Sequence, residues 1–152
     1  MNKFAKAVKD VEKKCSELLK TQHYTLSTLP EKMPSAGIYV FSKNGRVLYV
    51  GRTNNLRRRL QYHTRNNHNQ ATFAFLLTRH RTKNKKASYQ AVGSRSDLLR
   101  QPDFKLAFDK ARIEIRNMHI QFIAENDANR QALLEICAAM HTEAKYNNFD
   151  NH

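Results

Sequence analysis

The hydrophobic positions of the chain change their spacing several times, and each change predicts a different element. Over residues 2–21 the apolar residues share one helical face opposite charged ones, which predicts a helix that covers a core. Residues 37–42 and 46–51 are instead rich in Ile, Val, Tyr and Phe, and they flank Asn44 and Gly45. Two such segments around an Asn-Gly pair predict a β-hairpin.

Helical spacing returns after the hairpin. Leu56, Leu60 and His63 follow one another at helical intervals, and Asn54 or Asn55 is a suitable N-cap for the helix that they predict. On this helix Leu56 and Leu60 form the apolar stripe that must touch the sheet.

The rest of the chain predicts two more helices, a strand and a final helix. Residues 69–80 and the stretch that begins at Pro102 keep the helical period, whereas residues 117–124 alternate and predict a third strand buried on one face. Asn126 or Asp127 then caps the last helix. The predicted fold class is α+β, a three-stranded antiparallel sheet flanked by helices, with an N-terminal helical extension.

The turn of the hairpin decides whether Tyr39 and Tyr49 share a face. A two-residue turn pairs Tyr39 with Val50 and separates the tyrosines, because side chains alternate along a strand. A three-residue loop, with Gly45 in the left-handed conformation, pairs Tyr39 with Tyr49, and a bulge would have the same effect. Because a shared site needs both phenols together, we predict one face and a positive φ at Gly45.

Length and composition predict one domain. A chain of 152 residues that is 40% hydrophobic can bury a proper core, but it is short for two domains. We expect residues 1–35 to form a helix and an ordered connection packed on the core and over the sheet edge. Residues 36–152 should form the main domain.

The charge balance predicts a polyanionic partner. The chain has 27 Lys and Arg against 13 Asp and Glu, a formal net charge of +14, which suits DNA or another nucleic acid. Neither a long apolar run nor a signal peptide is present, so we expect no membrane partner and a cytoplasmic location. Cys15 and Cys137 lie on apolar helical faces as small core residues, and no zinc-finger spacing joins them to histidines.

Basic residues form two groups that could contact phosphates, although a solvated charged surface is the alternative for both. One group crowds a segment that is predicted to be exposed and loop-like, and the other points away from the apolar stripe of the helix after the hairpin. The groups are Arg79, Arg81, Lys83, Lys85 and Lys86, and Arg57 and Arg58.

Glu135 is the single charge in the apolar run 132–140, so its burial requires a partner. Small alanines surround it at helical spacing, which would let the helix approach the sheet and expose the carboxylate in a cleft. A salt bridge to an arginine is one explanation. The other is a metal site, because Mg²⁺ is commonly held by one carboxylate, waters and substrate phosphates.

An ordered set of residues resembles the GIY-YIG nuclease superfamily. The resemblance covers roughly residues 37–148 and implies a stand-alone, single-domain endonuclease with that family's fold, which cleaves DNA with Mg²⁺ or Mn²⁺. In chain order the set is Gly37, Ile38, Tyr39, Tyr49, Val50, Gly51, Arg59, His63, Glu135, Tyr146 and Asn147.

The resemblance implies a role for each polar side chain of the hairpin and the helix after it. Tyr39 or Tyr49 would be the general base, with His63 as the alternative base or a proton relay, and Arg59 would face the phosphate. A phenol has a reference pKa of about 10. Nearby cations, Arg52 among them, are expected to favour the phenolate.

The remaining residues of the set complete the implied site. Glu135 would hold the metal at the leaving oxygen, and Asn147 would order the site by hydrogen bonding. Arg52 occupies a position where relatives often carry lysine, which keeps the charge but excludes a neutral amine base.

Two other function classes compete with the enzyme. A non-catalytic DNA- or RNA-binding module could keep the fold, but a degenerate site should first lose Arg59 or Glu135, and both are present. A structural or partner-binding protein leaves the +14 charge and Glu135 without a reason.

Overall fold

A computed structural model of the protein describes residues 1–67, 69–82 and 95–147. The contacts within it divide the chain into two compact units. The predicted arrangement as one domain, with residues 1–35 packed on a main domain at 36–152, stays a prediction. We name the units by content: the sheet unit is Met1–Arg59 with Met118–His152, and the helical unit is Leu60–Asn117.

The described elements confirm the predicted α+β class. The three strands form one antiparallel sheet in the order β2-β1-β3, so β1 is central. Within the described residues, no helix is long and apolar enough to span a membrane. The elements are α1 (Lys3–Leu18), β1 (Gly37–Lys43), β2 (Arg46–Thr53), α2 (Leu56–Tyr62), α3 (Thr72–Arg81), α4 (Arg95–Arg100), α5 (Pro102–Arg116), β3 (His119–Ala124) and α6 (Ala128–Thr142), with a short 3-10 turn at Leu26–Thr28.

The hairpin turns through two residues, not three. Asn44 and Gly45 have φ values of 53° and 75°, as a tight primed turn requires, so the positive φ predicted for Gly45 is confirmed. Lys43 and Arg46 are the pair that closes the turn. Of the two alternatives that would bring the tyrosines to one face, the three-residue loop is therefore not the one adopted.

A bulge in β2 nevertheless brings the two tyrosines to one face. The register shifts by one residue after Ser42↔Val47, so that the next pair is Phe41↔Tyr49 and Leu48 is the extra residue. Tyr39 consequently pairs with Gly51. The shared face is confirmed, and it arises from the bulge alternative, in which Tyr39 does not pair directly with Tyr49 as it would across a three-residue loop.

The sheet separates a packed core from the tyrosine face. Ile38, Val40 and Val50 alternate with the tyrosines and pack with α1 and α6 in one hydrophobic cluster. Cys15 belongs to this cluster as predicted, and both cysteines are free. Because this side of the sheet is filled by apolar side chains, Tyr39 and Phe41 define the opposite face.

The connection after α1 packs on the outer edge of β3, as predicted. Tyr24 forms a two-way backbone bridge with Ile120, and its ring stacks on Phe122. Gln121, expected on an open face, is buried and donates to the carbonyls of Leu18 and Thr21 at 3.4 and 3.0 Å. The expectation that β3 is buried on one face only is wrong, because the end of α1 and the chain that follows it offer carbonyl acceptors to Gln121.

The predicted N-caps are present on α2 and α6. Asn55 caps α2, where its side-chain oxygen accepts from the Arg58 N–H at 3.1 Å, and Asp127 caps α6 in the same way. The helical unit contains α3, α4 and α5, with Phe75 against both Phe104 and Phe108. This apolar interior agrees with the predicted helix from Pro102.

Candidate active site

Two phenols and one guanidinium meet on the tyrosine face of the sheet unit. The rings of Tyr39 and Tyr49 lie with centroids 6.5 Å apart at 38°. The Arg59 side chain, on α2, donates a hydrogen bond to both hydroxyls. One cation is thus shared by two tyrosines that come from neighbouring strands.

Gly51 leaves the space that the Tyr39 ring occupies. A Cβ at this position would lie 2.2 Å from both Cζ and the hydroxyl oxygen of Tyr39, its register partner. Any side chain would therefore displace the phenol. Sequence reasoning did not find this role, because it depends on the bulge that sets Gly51 opposite Tyr39.

Burial has the largest effect on the pKa of both phenols. It raises the pKa of Tyr39 and of Tyr49, and the Arg59 charge and hydrogen bond only partly oppose that shift. Arg59 thus favours the phenolate, as predicted for a nearby cation, but burial outweighs its effect and the net pKa of each phenol is raised. Both hydroxyls are protonated at neutral pH.

Glu135 reaches the site from α6 and is paired with Arg52. The Arg52 Nε lies 3.5 Å from the Glu135 Oε1, with the glutamate side chain 18% exposed and the arginine side chain 47% exposed. Burial raises the pKa of Glu135, whereas Arg52 acts in the opposite direction. The alanines beside Glu135 pack as predicted, since Ala138 and Ala139 are buried against the sheet.

Asn147 closes the open edge of β2. Its side-chain amide accepts from the Val50 N–H and donates to the Val50 carbonyl, both at 2.7 Å, as a neighbouring strand would do. The Tyr146 N–H donates to the Leu48 carbonyl one pair away. The hydrogen bonding predicted for Asn147 is present, and it fixes the strand segment between the bulge and Gly51.

Comparison with known families places these residues in context. Residues 35–90 match the family described as the UvrC-like GIY-YIG domain. This stretch, which spans less than half of the chain, is similar to the GIY-YIG nuclease superfamily. Members of this superfamily are generally endonucleases that act on DNA and typically use divalent metals. No curated protein and no solved structure matches the chain.

The GIY-YIG match and the folded site overlap only in part. The matched residues include Tyr39, Tyr49, Arg52 and Arg59, but they end before Glu135. The fold brings the site residues that lie beyond the match to the matched ones, since α6 contacts β1 and β2. The sheet unit therefore unites both parts of the set that the sequence predicted, except His63, which belongs to the helical unit.

His63 belongs to the helical unit, whereas Arg57 and Arg58 belong to the sheet unit. His63 is a buried residue of the helical unit, so its role as base or relay stays a prediction. Arg57 donates to the carbonyls of Pro30 and Glu31, and Arg58 is exposed. These contacts give Arg57 a structural task in the sheet unit.

The described start of the basic segment, residues 79–81, is helical and does not form the predicted exposed loop. Arg79 and Arg81 lie on α3, where Arg79 is 6% exposed and Arg81 pairs with Glu114 through two contacts of 2.5 and 2.8 Å. Burial and the nearby Arg95 lower the pKa of Arg79. Because Arg79 is buried on α3, its position argues against a contact with a phosphate at the surface. Lys83, Lys85 and Lys86 lie outside the described residues.

A hard divalent ion fits the donor set of the site. Glu135 supplies one carboxylate whose burial makes a neighbouring cation favourable. Among the residues that the structure describes, no cluster of three or more His, Cys, Asp or Glu side chains could hold a metal. A single carboxylate suits Mg²⁺, which retains water and shares substrate phosphates, better than an ion that needs a full protein cage.

Proposed function

We propose that the protein is a divalent-metal-dependent DNA endonuclease that hydrolyses phosphodiester bonds. The observation that carries the proposal is the convergence of both tyrosine hydroxyls on Arg59, with Glu135 close enough to raise the pKa of both phenols. Hydrolysis requires an activated water, a cation for the phosphate oxygens and stabilisation of the leaving oxygen. These side chains have the chemistry for all three tasks.

Arg59 is the proposed phosphate ligand. A guanidinium has five N–H donors, so Arg59 can retain its two phenol hydrogen bonds and still donate to a phosphate. The phenols hold the guanidinium in one orientation before the substrate arrives. Such preorganisation stabilises charge that grows on the phosphate oxygens in the transition state.

Tyr49 is the proposed general base. Tyr49 is half-buried whereas Tyr39 is 1% exposed, so water reaches the Tyr49 hydroxyl more readily. Tyr39 is then the residue that orients Arg59. Because the pKa of Tyr49 is raised, the fraction of phenolate grows as the pH rises above neutral, and cleavage should accelerate with it. His63 is the alternative base or proton relay.

Glu135 is the residue that would hold Mg²⁺ or Mn²⁺. The bound ion would compensate the negative charge that develops on the leaving oxygen. Arg52 counters the effect of burial on the pKa of Glu135 and so favours the carboxylate, the form that a metal ligand must have. Since the Arg52 side chain is 47% exposed, it has room to turn toward solvent and leave Glu135 to the metal.

DNA is the proposed partner, and the cytoplasm is the proposed location. Residues 60–117 carry 12 Lys and Arg against 4 Asp and Glu, so the excess of positive charge is concentrated in one part of the sequence. Binding of DNA to many basic residues in one region is favoured by the release of counterions from the DNA. Arg58, which is exposed in the sheet unit, and Lys83, Lys85 and Lys86 are the proposed phosphate contacts.

The pairing of Arg52 with Glu135 also favours a second function, the binding of nucleic acid without cleavage. Arg52 already supplies a cation to Glu135, and both phenols are protonated, so the same residues could bind a phosphate without turnover. The protein would then be a basic DNA- or RNA-binding module with the nuclease fold.

Cleavage assays separate the two functions. Purified protein would be incubated with plasmid, branched and single-stranded DNA, in Mg²⁺, in Mn²⁺ and in EDTA, while gel shift measures binding to the same substrates. The endonuclease yields nicked or linear products with either metal and none in EDTA. Binding without any product, in all metal conditions, would favour the binding module.

A further inference from the structure

Two histidines face each other on the far side of the sheet from β2. The Nδ1 atoms of His23 and His119 lie 3.2 Å apart, and the rings meet edge to face with centroids separated by 5.3 Å. Both residues are exposed. The predicted nuclease chemistry uses neither of them.

The backbone holds the two imidazoles in this position. Tyr24 and Ile120, the residues that follow the two histidines, exchange backbone hydrogen bonds of 2.9 and 2.6 Å. In an antiparallel bridge the residues on either side of the paired positions share one face and lie within diagonal reach. The fold therefore presents both imidazoles together before any ligand arrives.

The distance between the Nδ1 atoms suits coordination of one metal ion. Zinc binds imidazole nitrogen at about 2.0–2.1 Å. Two nitrogens 3.2 Å apart would then enclose an angle of about 103° at the ion, close to tetrahedral. Because both rings are exposed, each can rotate to aim its lone pair at a common point.

We propose that His23 and His119 form a binding site for a divalent transition metal, with Zn²⁺ as the ion to test. In the free protein one Nδ1–H donates to the other Nδ1. Metal binding moves that proton to Nε2 of the same ring, and both neutral Nδ1 atoms then ligate the ion without net proton release. Mg²⁺, which prefers oxygen ligands, should not compete.

The remaining coordination positions are open to water. Two protein ligands fall short of a closed structural zinc site, which has four. His23 also lines a cleft of about 500 Å³ together with Glu143, a carboxylate in the same unit. A metal on the histidine pair would join the connection after α1 to β3 and stabilise the folded sheet unit by mass action.

Zinc titration of the full chain tests the site by calorimetry and by imidazole ¹⁵N NMR. Zn²⁺ should shift the Nδ1 resonances of His23 and His119 together and raise the thermal midpoint. His23→Ala and His119→Ala should each weaken binding by at least about tenfold, since loss of one ligand ends chelation. The double variant should bind no more weakly than either single variant. His141→Ala, at an exposed position on α6, is the matched control.

Three results would overturn the proposal: wild-type zinc affinity in either single variant, a shift in only one of the two rings, or zinc binding that is lost with Cys137→Ser. Cleavage activity does not enter the test. Its outcome is therefore independent of the proposed nuclease function.

Discussion

Gly51 illustrates how one missing side chain sets the geometry of the tyrosine pair. We predict that Gly51→Ala lowers the free energy of unfolding by about 1–3 kcal/mol, the usual cost of an overpacked site, because the new Cβ would lie 2.2 Å from the Tyr39 ring. Chemical denaturation measures the decrease.

A double-mutant cycle provides the control for Gly51. Tyr39→Ala removes the ring that the new methyl group meets, so the destabilisation in Gly51→Ala/Tyr39→Ala should be smaller than the sum of the two single effects. Strict additivity of the two changes would contradict the steric account.

Tyr49 should govern the pH dependence of cleavage. The raised pKa means that the phenolate is scarce at neutral pH and becomes more abundant as pH increases, so the rate should rise through the alkaline range. Tyr49→Phe should abolish most activity and remove this rise. Tyr24→Phe, a change at an exposed hydroxyl on the β3 edge, is the control. A pH profile in Tyr49→Phe with the wild-type shape would eliminate Tyr49 as the base.

At the scale of elements, the turn of the hairpin depends on Gly45. Its φ of 75° is strained for a β-branched residue, although a Cβ there meets no atom within 4 Å. Gly45→Val should therefore destabilise the protein by about 1–3 kcal/mol through the backbone alone. Gly45→Asn should cost much less, because asparagine tolerates the left-handed region. Equal destabilisation by the two changes in thermal or chemical unfolding would show that the backbone conformation is not the cause.

The sequence predicted the elements better than their register. Hydrophobic spacing located the hairpin, the third strand and the capped helix α6, because those patterns reflect which side chains are buried. The extra residue at Leu48 left no trace in that pattern, since both faces of the hairpin carry large side chains. The partners of Tyr39 and Gly51 therefore became known only from the structure.

For the site, too, the sequence predicted which residues take part better than it predicted their pKa values and contacts. Periodicity placed Arg59 and Glu135 on helices beside the sheet, but the raised phenol pKa values depend on burial, which a lone sequence does not give. The pairing of Arg52 with Glu135 also required the packed helix α6. His23 and His119 are nearly 100 residues apart in sequence, so no rule based on residue spacing predicts that they are neighbours.

For the whole molecule, charge should control DNA affinity. Log affinity should fall linearly with log salt, and the triple change of Lys83, Lys85 and Lys86 to alanine should reduce the slope by about 0.9 for each phosphate that the variant no longer neutralises. The matched control replaces Lys3, Lys6 and Lys9, which are exposed on α1 and carry the same total charge. A larger change of slope in the control would move the DNA-binding surface to α1.

The most direct measurement of the central claim compares two carboxylates of the sheet unit. Glu125, like Glu135, is largely buried and paired with a cation, in this instance Lys14 at 2.9 Å. Plasmid cleavage in Mg²⁺ would be measured for Glu135→Gln and Glu125→Gln, with DNA affinity and stability determined in parallel.

Glu135→Gln should lower the cleavage rate by at least about 100-fold while DNA affinity stays close to that of the wild type, because the carboxylate serves the metal at the leaving oxygen. Glu125→Gln should lose stability but cleave normally. Near wild-type cleavage by Glu135→Gln would contradict the account and leave Glu135 as the structural partner of Arg52.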